Sequence, residues 1–117
     1  MSEEMVIFTR TFDLLAWILP RAADFPRAYR DTLSKRLQDA VMDFQEALYD
    51  ANAASASERL AHLRCADAHL NKTRLYLRLG LQFQWLSSGQ YEHVSKMVAE
   101  IGRLLGGWIK QTHDSSR

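Results

Sequence analysis

The sequence predicts an all-α protein, an antiparallel up-down four-helix bundle that forms a single domain over residues 1–117. Apolar residues recur at helical spacing along the chain, and the alternation of apolar and polar residues that is typical of strands is absent. Only two prolines and five glycines interrupt the pattern. The joints between the periodic segments are short, and long amphipathic helices with short joints pack as antiparallel neighbours.

The first two helices are predicted over residues 4–19 and from Pro26 onward. Pro20 is expected to end or kink the first helix because its ring clashes with the preceding turn, whereas Pro26 suits a first helical turn. The second helix fades in residues 51–54. The apolar stripe of the first helix would contain Phe8, Phe12, Leu15 and Leu19, with Ile7, Leu14 and Ile18 beside it, and that of the second Leu33, Leu37, Val41, Phe44 and Leu48.

Two capping patterns predict where the last two helices begin. Ser55 and Glu58 form an S-x-x-E capping box, so the third helix is expected to run from there to about Leu86. Ser87 and Gln90 form a second box at the start of the fourth helix. The polar tail, about residues 112–117, is expected to fray. The apolar residues of the fourth helix are Tyr91, Val94, Met97, Ile101, Leu104, Leu105 and Trp108.

Composition indicates a cytoplasmic protein without a membrane partner. Apolar residues make up 47% and charged residues 25% of the chain, as in ordinary globular proteins. Cys65 is the single cysteine, so no disulfide framework exists and a reducing compartment is expected. The longest apolar run near the N-terminus, residues 14–19, is too short to span a bilayer.

The net charge of +1 conceals segregated charges. Two interpretations are open: solvated faces with ion pairs, or a basic surface for phosphates with an acidic stripe that docks on a subunit or basic partner. The basic clusters contain Arg21, Arg27, Arg30, Lys35 and Arg36, then Arg59, Arg64, Lys72, Arg74 and Arg78, and the acidic stripe on one face of the second helix contains Asp39, Asp43, Glu46 and Asp50.

Asp67 and Arg74 share the heptad spacing of three leucines in the third helix, Leu63, Leu70 and Leu77. A charge on an apolar seam is costly unless it is paired. Asp67 and Arg74 are therefore expected either to pair inside the bundle or to contact nucleic acid or a partner across an inner surface of an oligomer.

No catalytic constellation, cofactor motif or complete metal site is predicted. His62, Cys65 and His69 lie on one face of the third helix, and a ligand such as His93 could complete a zinc site. No CxxC or HExxH motif supports that site, so surface histidines and a buried thiol are the favoured interpretation. There is also no Gly-rich phosphate loop.

Small residues in the fourth helix indicate close packing. Gly102 and Gly106 have GxxxG spacing, and Gly107 is adjacent. Each glycine costs about 1 kcal/mol against alanine inside a helix, so close approach of another backbone is the expected compensation. The three tryptophans, Trp17, Trp85 and Trp108, are interpreted as core or interface residues, with stacking on bases as the alternative.

Several segments together form a recognisable pattern. They are Pro20, the Phe25-Pro26-Arg27 joint, Ala66-Asp67-Ala68, Arg74-Leu75-Tyr76-Leu77-Arg78, and the segment Ala99-Glu100-Ile101-Gly102-Arg103-Leu104-Leu105-Gly106-Gly107-Trp108-Ile109. This pattern resembles the accessory variability determinant (Avd) family of diversity-generating retroelements. That family lies within a wider group of four-helix bundles that includes the intervening-sequence proteins of large-subunit ribosomal RNA genes. The resemblance covers about residues 5–112 and is strongest from Ala66 onward.

The resemblance implies a non-catalytic homopentameric barrel that binds the reverse transcriptase of a retroelement together with RNA or DNA during mutagenic copying of a template repeat. The best-known relatives are strongly basic, whereas this chain is nearly neutral. The alternative is an oligomeric structural or interaction bundle of the intervening-sequence type, without a retroelement role. The residues expected to contact nucleic acid or the polymerase are Arg27, Arg30, Arg36, Arg74, Arg78 and Arg103.

Overall fold

The computed structural model of the protein describes residues 3–115, with side chains from Val6 onward. Its four α-helices are α1 (Glu3–Ala23), α2 (Lys35–Ala53), α3 (Ala56–Gln82) and α4 (Ser88–Ser115), and the described residues contain no strand. Each helix packs against the next, and α4 closes back onto α1. The result is a rod of 48 × 25 × 20 Å, which confirms the predicted all-α four-helix bundle. Within residues 3–115, no helix is long and apolar enough to cross a membrane.

One stripe of each helix forms the core. The sequence predicted the stripe of α2 correctly, whereas on α1 the buried residues include Ile7, Leu14 and Ile18, which were expected beside the stripe rather than on it. All five predicted α2 residues are buried. On α1, however, Phe12 is 67% exposed, and Thr11 is fully buried. Because α1 is apolar around more than half of its circumference, spacing alone does not select the face that meets α2 and α4. The buried residues of α1 are Ile7, Thr11, Leu14, Ile18 and Ala22.

Pro20 does not end α1, which continues for one more turn to Ala23. A proline inside a helix removes one backbone donor and crowds the carbonyl four residues earlier, and an exposed position tolerates this better than a buried one. The next residue, Arg21, donates from Nη1 to the carbonyl of Trp17 at 2.9 Å. Its guanidinium also lies 4.1 Å from the centre of the Trp17 ring, so this arginine is engaged within α1.

The entry to α2 is irregular for two turns. Pro26 precedes a 3-10 turn, Arg27–Tyr29, and a π-helical turn, Arg30–Ser34, before regular α-helix begins at Lys35. The predicted start at Pro26 is therefore one residue before Arg27, where the 3-10 turn begins, and nine residues before α2 itself. The extra residue of a π turn rotates the side chains that follow it, and such turns are frequent at functional sites.

Of the two predicted capping boxes, one forms and one does not. The Ser87 backbone N–H donates to Gln90 Oε1 at 2.9 Å, and the Gln90 N–H donates to Ser87 Oγ at 3.0 Å. Ser55 occupies the N-cap position of α3, but its hydroxyl makes no cap hydrogen bond and lies 3.2 Å from Ser57 Oγ. Arg59 connects this joint instead, because its guanidinium donates to the carbonyls of Ala51 and Ala54 at 2.9 and 3.0 Å.

The helix ends differ from those predicted for α3 and α4. α3 stops at Gln82 rather than near Leu86, and α4 continues through Ser115. Thr112 is buried against the bundle, so residues 112–115 are helical although this part of the tail was expected to fray. The last two residues of that tail lie outside the described residues.

Candidate nucleic-acid interface

A groove of about 550 Å³ lies between α3 and α4. Arg74 and Arg78 line it from α3, and because they are four residues apart they project from the same helix face. α4 contributes Tyr91, Ser95 and Ala99. The small side chains of Ser95 and Ala99 leave room for the two long arginine side chains, so both predicted residues share one concave surface.

Arg74 lies across α4 at Gly102. A Cβ atom built at Gly102 would be 2.5 Å from Arg74 Nη2 and 3.8 Å from Leu70 Cδ2. The other terminal nitrogen of the guanidinium, Nη1, donates to Asn71 Oδ1 at 2.7 Å. The Arg74 head group is therefore held between an amide on its own helix and a backbone surface that only glycine provides.

The prediction that Asp67 and Arg74 occupy the apolar seam of α3 is wrong. Both residues are exposed, and the buried positions between the leucines are taken by Ala66 and Thr73, each one residue earlier. In the part of the chain that the structure describes, Arg74 forms no salt bridge with Asp67. The leucine spacing identified the correct seam, but the charged residues lie on its edge, toward α4.

Arg27 and Arg30 line a second hollow, of about 330 Å³, at the end of the bundle where α1 connects to α2. Ser34 and Gln38 form another part of its wall, and the buried ring of Phe25 closes it on the core side. This hollow exists because the 3-10 and π turns displace the start of α2 from a regular helical path.

The remaining two predicted arginines lie elsewhere. Arg36 borders a shallow hollow of about 150 Å³ with Lys72, but Asp39 and Asp43 share it, so its charge is mixed. Arg103 is exposed on α4 and lines neither the α3–α4 groove nor the Arg27–Arg30 hollow. Among residues 6–115, none of the six arginines forms a salt bridge with a carboxylate.

The acidic stripe lies on the outer face of α2, as the spacing predicted. Asp43, Glu46 and Asp50 are exposed. Asp39 is half-buried and accepts a hydrogen bond from Lys35 Nζ at 2.8 Å, which raises the pKa of Lys35 above its ordinary value of 10.5. The stripe is thus on a helix that does not form the α3–α4 groove.

The histidines and the cysteine of α3 do not gather into a metal site. Cys65 Sγ lies 3.6 Å from His69 Nε2. Cys65 is exposed, so the prediction of a buried thiol is wrong. His93 instead packs on Trp17 of α1, with ring centres 5.7 Å apart. Within the described residues, no group of three or more histidine, cysteine, aspartate or glutamate side chains is placed to hold a metal ion.

An aromatic cluster at the α1–α2 end of the bundle was missed by the sequence reasoning. It brings together Phe25, Tyr29, Phe83 and Trp85, with the Tyr29 and Trp85 ring centres 4.6 Å apart and those of Phe83 and Trp85 5.0 Å apart. The signal was present in the sequence as aromatic residues beside two predicted joints: Phe25 and Tyr29 around the start of the second helix, and Phe83 and Trp85 before the end of the third. Only the antiparallel fold places these two joints at the same end.

Comparison with known proteins supports this architecture. The sequence profile of the bAvd-like family matches residues 5–112. The chain is similar in structure to a protein of unknown function from the S23 ribosomal protein family of Bacteroides thetaiotaomicron, with a TM-score of 0.85 and 20% sequence identity over 93% of this chain and 99% of that one. Among curated proteins, none shows significant sequence similarity to this chain. Since the family profile spans nearly all of the sequence and the structure is a four-helix bundle, the chain belongs to the bAvd-like family.

Proposed function

We propose that this Avd-type accessory protein binds the reverse transcriptase of a diversity-generating retroelement and its template RNA or DNA, and that it performs no catalysis itself. Family membership supports the accessory role. The observation that carries the nucleic-acid half is the α3–α4 groove, in which Arg74 and Arg78 project together. A guanidinium presents up to five donors in a fixed plane, an arrangement that matches the oxygens of a phosphate.

The nearly neutral net charge is compatible with this role because the opposing charges lie on different helices. The carboxylates of the acidic stripe are on α2, whereas the groove is formed by α3 and α4. At physiological ionic strength, exposed charges more than about 8 Å apart are largely screened from one another. Among the described residues that line the groove, only Arg74 and Arg78 carry a charge.

The test is binding of a fluorescein-labelled single-stranded RNA to the purified protein over a range of salt concentrations. Arg74→Ala with Arg78→Ala is expected to weaken binding at low salt. Each phosphate contact on a single strand contributes about 0.7 to the slope of log K against log salt, so losing two contacts should reduce that slope by about 1.4. The control is Lys35→Ala with Lys96→Ala, which removes the same charge from two lysines that already pair with Asp39 and Glu92.

The result that would contradict the nucleic-acid half is equal binding and an equal salt slope for wild type and the Arg74–Arg78 variant, with fold and assembly unchanged. Capture of the neighbouring reverse transcriptase on immobilised protein tests the other half. If polymerase capture persists at high salt while no RNA binds, the protein binds the polymerase through apolar contacts, and the groove with Arg74 and Arg78 does not explain the accessory role.

The alternative is an oligomeric structural or interaction bundle without a retroelement role. The near-neutral charge and the fold shared with the S23 family protein favour it. The gene neighbourhood separates the two proposals, because a retroelement requires a reverse-transcriptase gene beside a near-duplicate template and variable repeat. Absence of both from the locus would favour the alternative.

A further inference from the structure

Two half-exposed aromatic rings lie side by side at the α1–α2 end of the bundle. Tyr29 is 43% exposed and Phe83 is 50% exposed, and their rings are inclined by only 26° with centres 6.4 Å apart. Behind them, Trp85 packs on the buried Phe25 at 5.5 Å. The inner rings close the core, whereas the outer rings present apolar surface to solvent that no described part of the chain covers.

The backbone around Phe83 fixes the ring in place. α3 ends in a Schellman motif, in which the Trp85 N–H donates to the carbonyl of Gly80 and the Gln84 N–H donates to that of Leu81, both at 2.9 Å. Gln84 has a positive φ of 63°, at the position where glycine is usually found. A residue with a Cβ atom costs energy in this conformation.

Two cationic side chains are connected to this ring cluster, through Tyr29 in the sequence and through Phe25 in the hollow that they line. Tyr29 lies between Arg27 and Arg30 in the sequence, and these two arginines line the 330 Å³ hollow whose inner wall is Phe25. Within residues 6–115 neither arginine forms a salt bridge with a carboxylate. The two aspartates that are near them in the sequence, Asp24 and Asp31, are exposed to solvent. Flat aromatic surface beside free guanidinium groups is the arrangement with which proteins bind single-stranded nucleic acid.

We infer that this end of the bundle, formed by Tyr29, Phe83, Arg27 and Arg30, is a site for an unpaired nucleotide of single-stranded nucleic acid. The base stacks on the exposed rings of Tyr29 and Phe83, and its phosphate is held by Arg27 and Arg30. The inference rests on the proposed nucleic-acid function and adds a stacking site separate from the α3–α4 groove. A pre-packed cluster favours this use, because the rings lose little rotational freedom when a base binds.

The decisive experiment compares two fluorescein-labelled 12-nucleotide probes, oligo(U) RNA and an abasic strand with the same number of phosphates. Tyr29→Leu with Phe83→Leu keeps apolar volume but removes both ring surfaces. Oligo(U) affinity should fall about tenfold to a hundredfold, the range that corresponds to loss of a base–aromatic stack, while abasic affinity stays unchanged. Phe83→Trp should retain or strengthen oligo(U) binding, because indole offers a larger stacking surface.

Two further variants separate stacking from charge. Arg27→Ala with Arg30→Ala should weaken oligo(U) and abasic binding equally and lower the salt slope for both. Phe12→Leu changes an exposed aromatic ring on another part of the surface and should leave both affinities unchanged. Circular dichroism and light scattering on every variant establish that fold and assembly are retained. A DNA version of oligo(U) shows whether the site distinguishes ribose from deoxyribose.

Unchanged oligo(U) binding by the Tyr29–Phe83 variant, or equal losses for oligo(U) and the abasic strand, would overturn the stacking site. If Arg74→Ala with Arg78→Ala still weakens RNA binding in that case, the proposed function survives. Loss of polymerase capture with unchanged RNA binding would instead assign the rings to a protein partner and overturn the inference. A wild-type protein that binds neither probe would overturn this inference and the nucleic-acid half of the proposed function together.

Discussion

Gly102 of α4 lies where the guanidinium of Arg74 crosses from α3, and a methyl group there would stand 2.5 Å from Arg74 Nη2. The glycine therefore has a local role within one chain, which is to leave space for a cation. Gly106, one turn later, has nothing within 4 Å of its would-be Cβ atom. The two glycines of the GxxxG pair therefore differ: the Arg74 guanidinium packs on Gly102, whereas Gly106 has open space beside it.

Gly102→Ala is expected to maintain or raise the free energy of unfolding, by up to about 1 kcal/mol, because alanine is the better helix former and the end of an arginine side chain can move. The displaced Arg74 should nevertheless bind phosphate less well. Urea unfolding and RNA binding measure the two effects. Gly106→Ala is the matched control: it gives the same helical gain without displacing a side chain, so equal RNA binding by the two variants would contradict the positioning role of Gly102.

We expect the protein to form a homopentamer through a surface that includes Gly106. A glycine inside a helix costs about 1 kcal/mol against alanine, and nothing within one chain requires it at this position. Light scattering should give about five times the chain mass of 13.5 kDa. Gly106→Leu should shift the protein toward smaller species, whereas Gln111→Ala should not. A mass near 13.5 kDa for wild type at micromolar concentration would refute the assembly.

Ser87→Ala should destabilise the protein by about 1 kcal/mol, because the Ser87 hydroxyl accepts a hydrogen bond from the Gln90 N–H at the start of α4. Ser55→Ala should change the stability by less than about 0.5 kcal/mol, since the Ser55 hydroxyl caps no backbone group. The midpoints of urea unfolding at an unchanged m-value compare the two variants. Equal losses would mean that Ser55 caps α3 in solution.

Asp67→Asn should leave the melting temperature unchanged, because Asp67 is exposed and is not paired with Arg74. The two residues are separated by two helical turns, about 10 Å along the axis. Removing a carboxylate from the helix that carries Arg74 and Arg78 should strengthen RNA binding at low salt, and the gain should disappear as salt screens it. A clear fall in the melting temperature of Asp67→Asn, reversed when Arg74→Met is added, would indicate that Asp67 and Arg74 form the buried pair that the heptad spacing suggested.

Helical periodicity determined much of the fold. The α2 stripe was predictable because its large apolar residues share one helix face and charged residues lie opposite, as for Phe44 and Glu46. The α1 stripe was not, because Phe12 and Ile7 belong to two adjacent apolar lines, and the choice between them depends on which neighbours meet the helix. Pro20 lies inside α1 rather than at its end, so the rule that proline terminates a helix did not locate this boundary.

The sequence by itself determined the number and order of the helices and the Ser87–Gln90 cap, since these depend on interactions among residues close in the chain. It also placed Arg74 and Arg78 on one face of α3. Only the tertiary structure decided that Arg74 lies on Gly102, and that Tyr29 and Phe83 meet at one end of the rod. Those relationships join residues 28 and 54 positions apart, and local periodicity carries no information about which helix faces which.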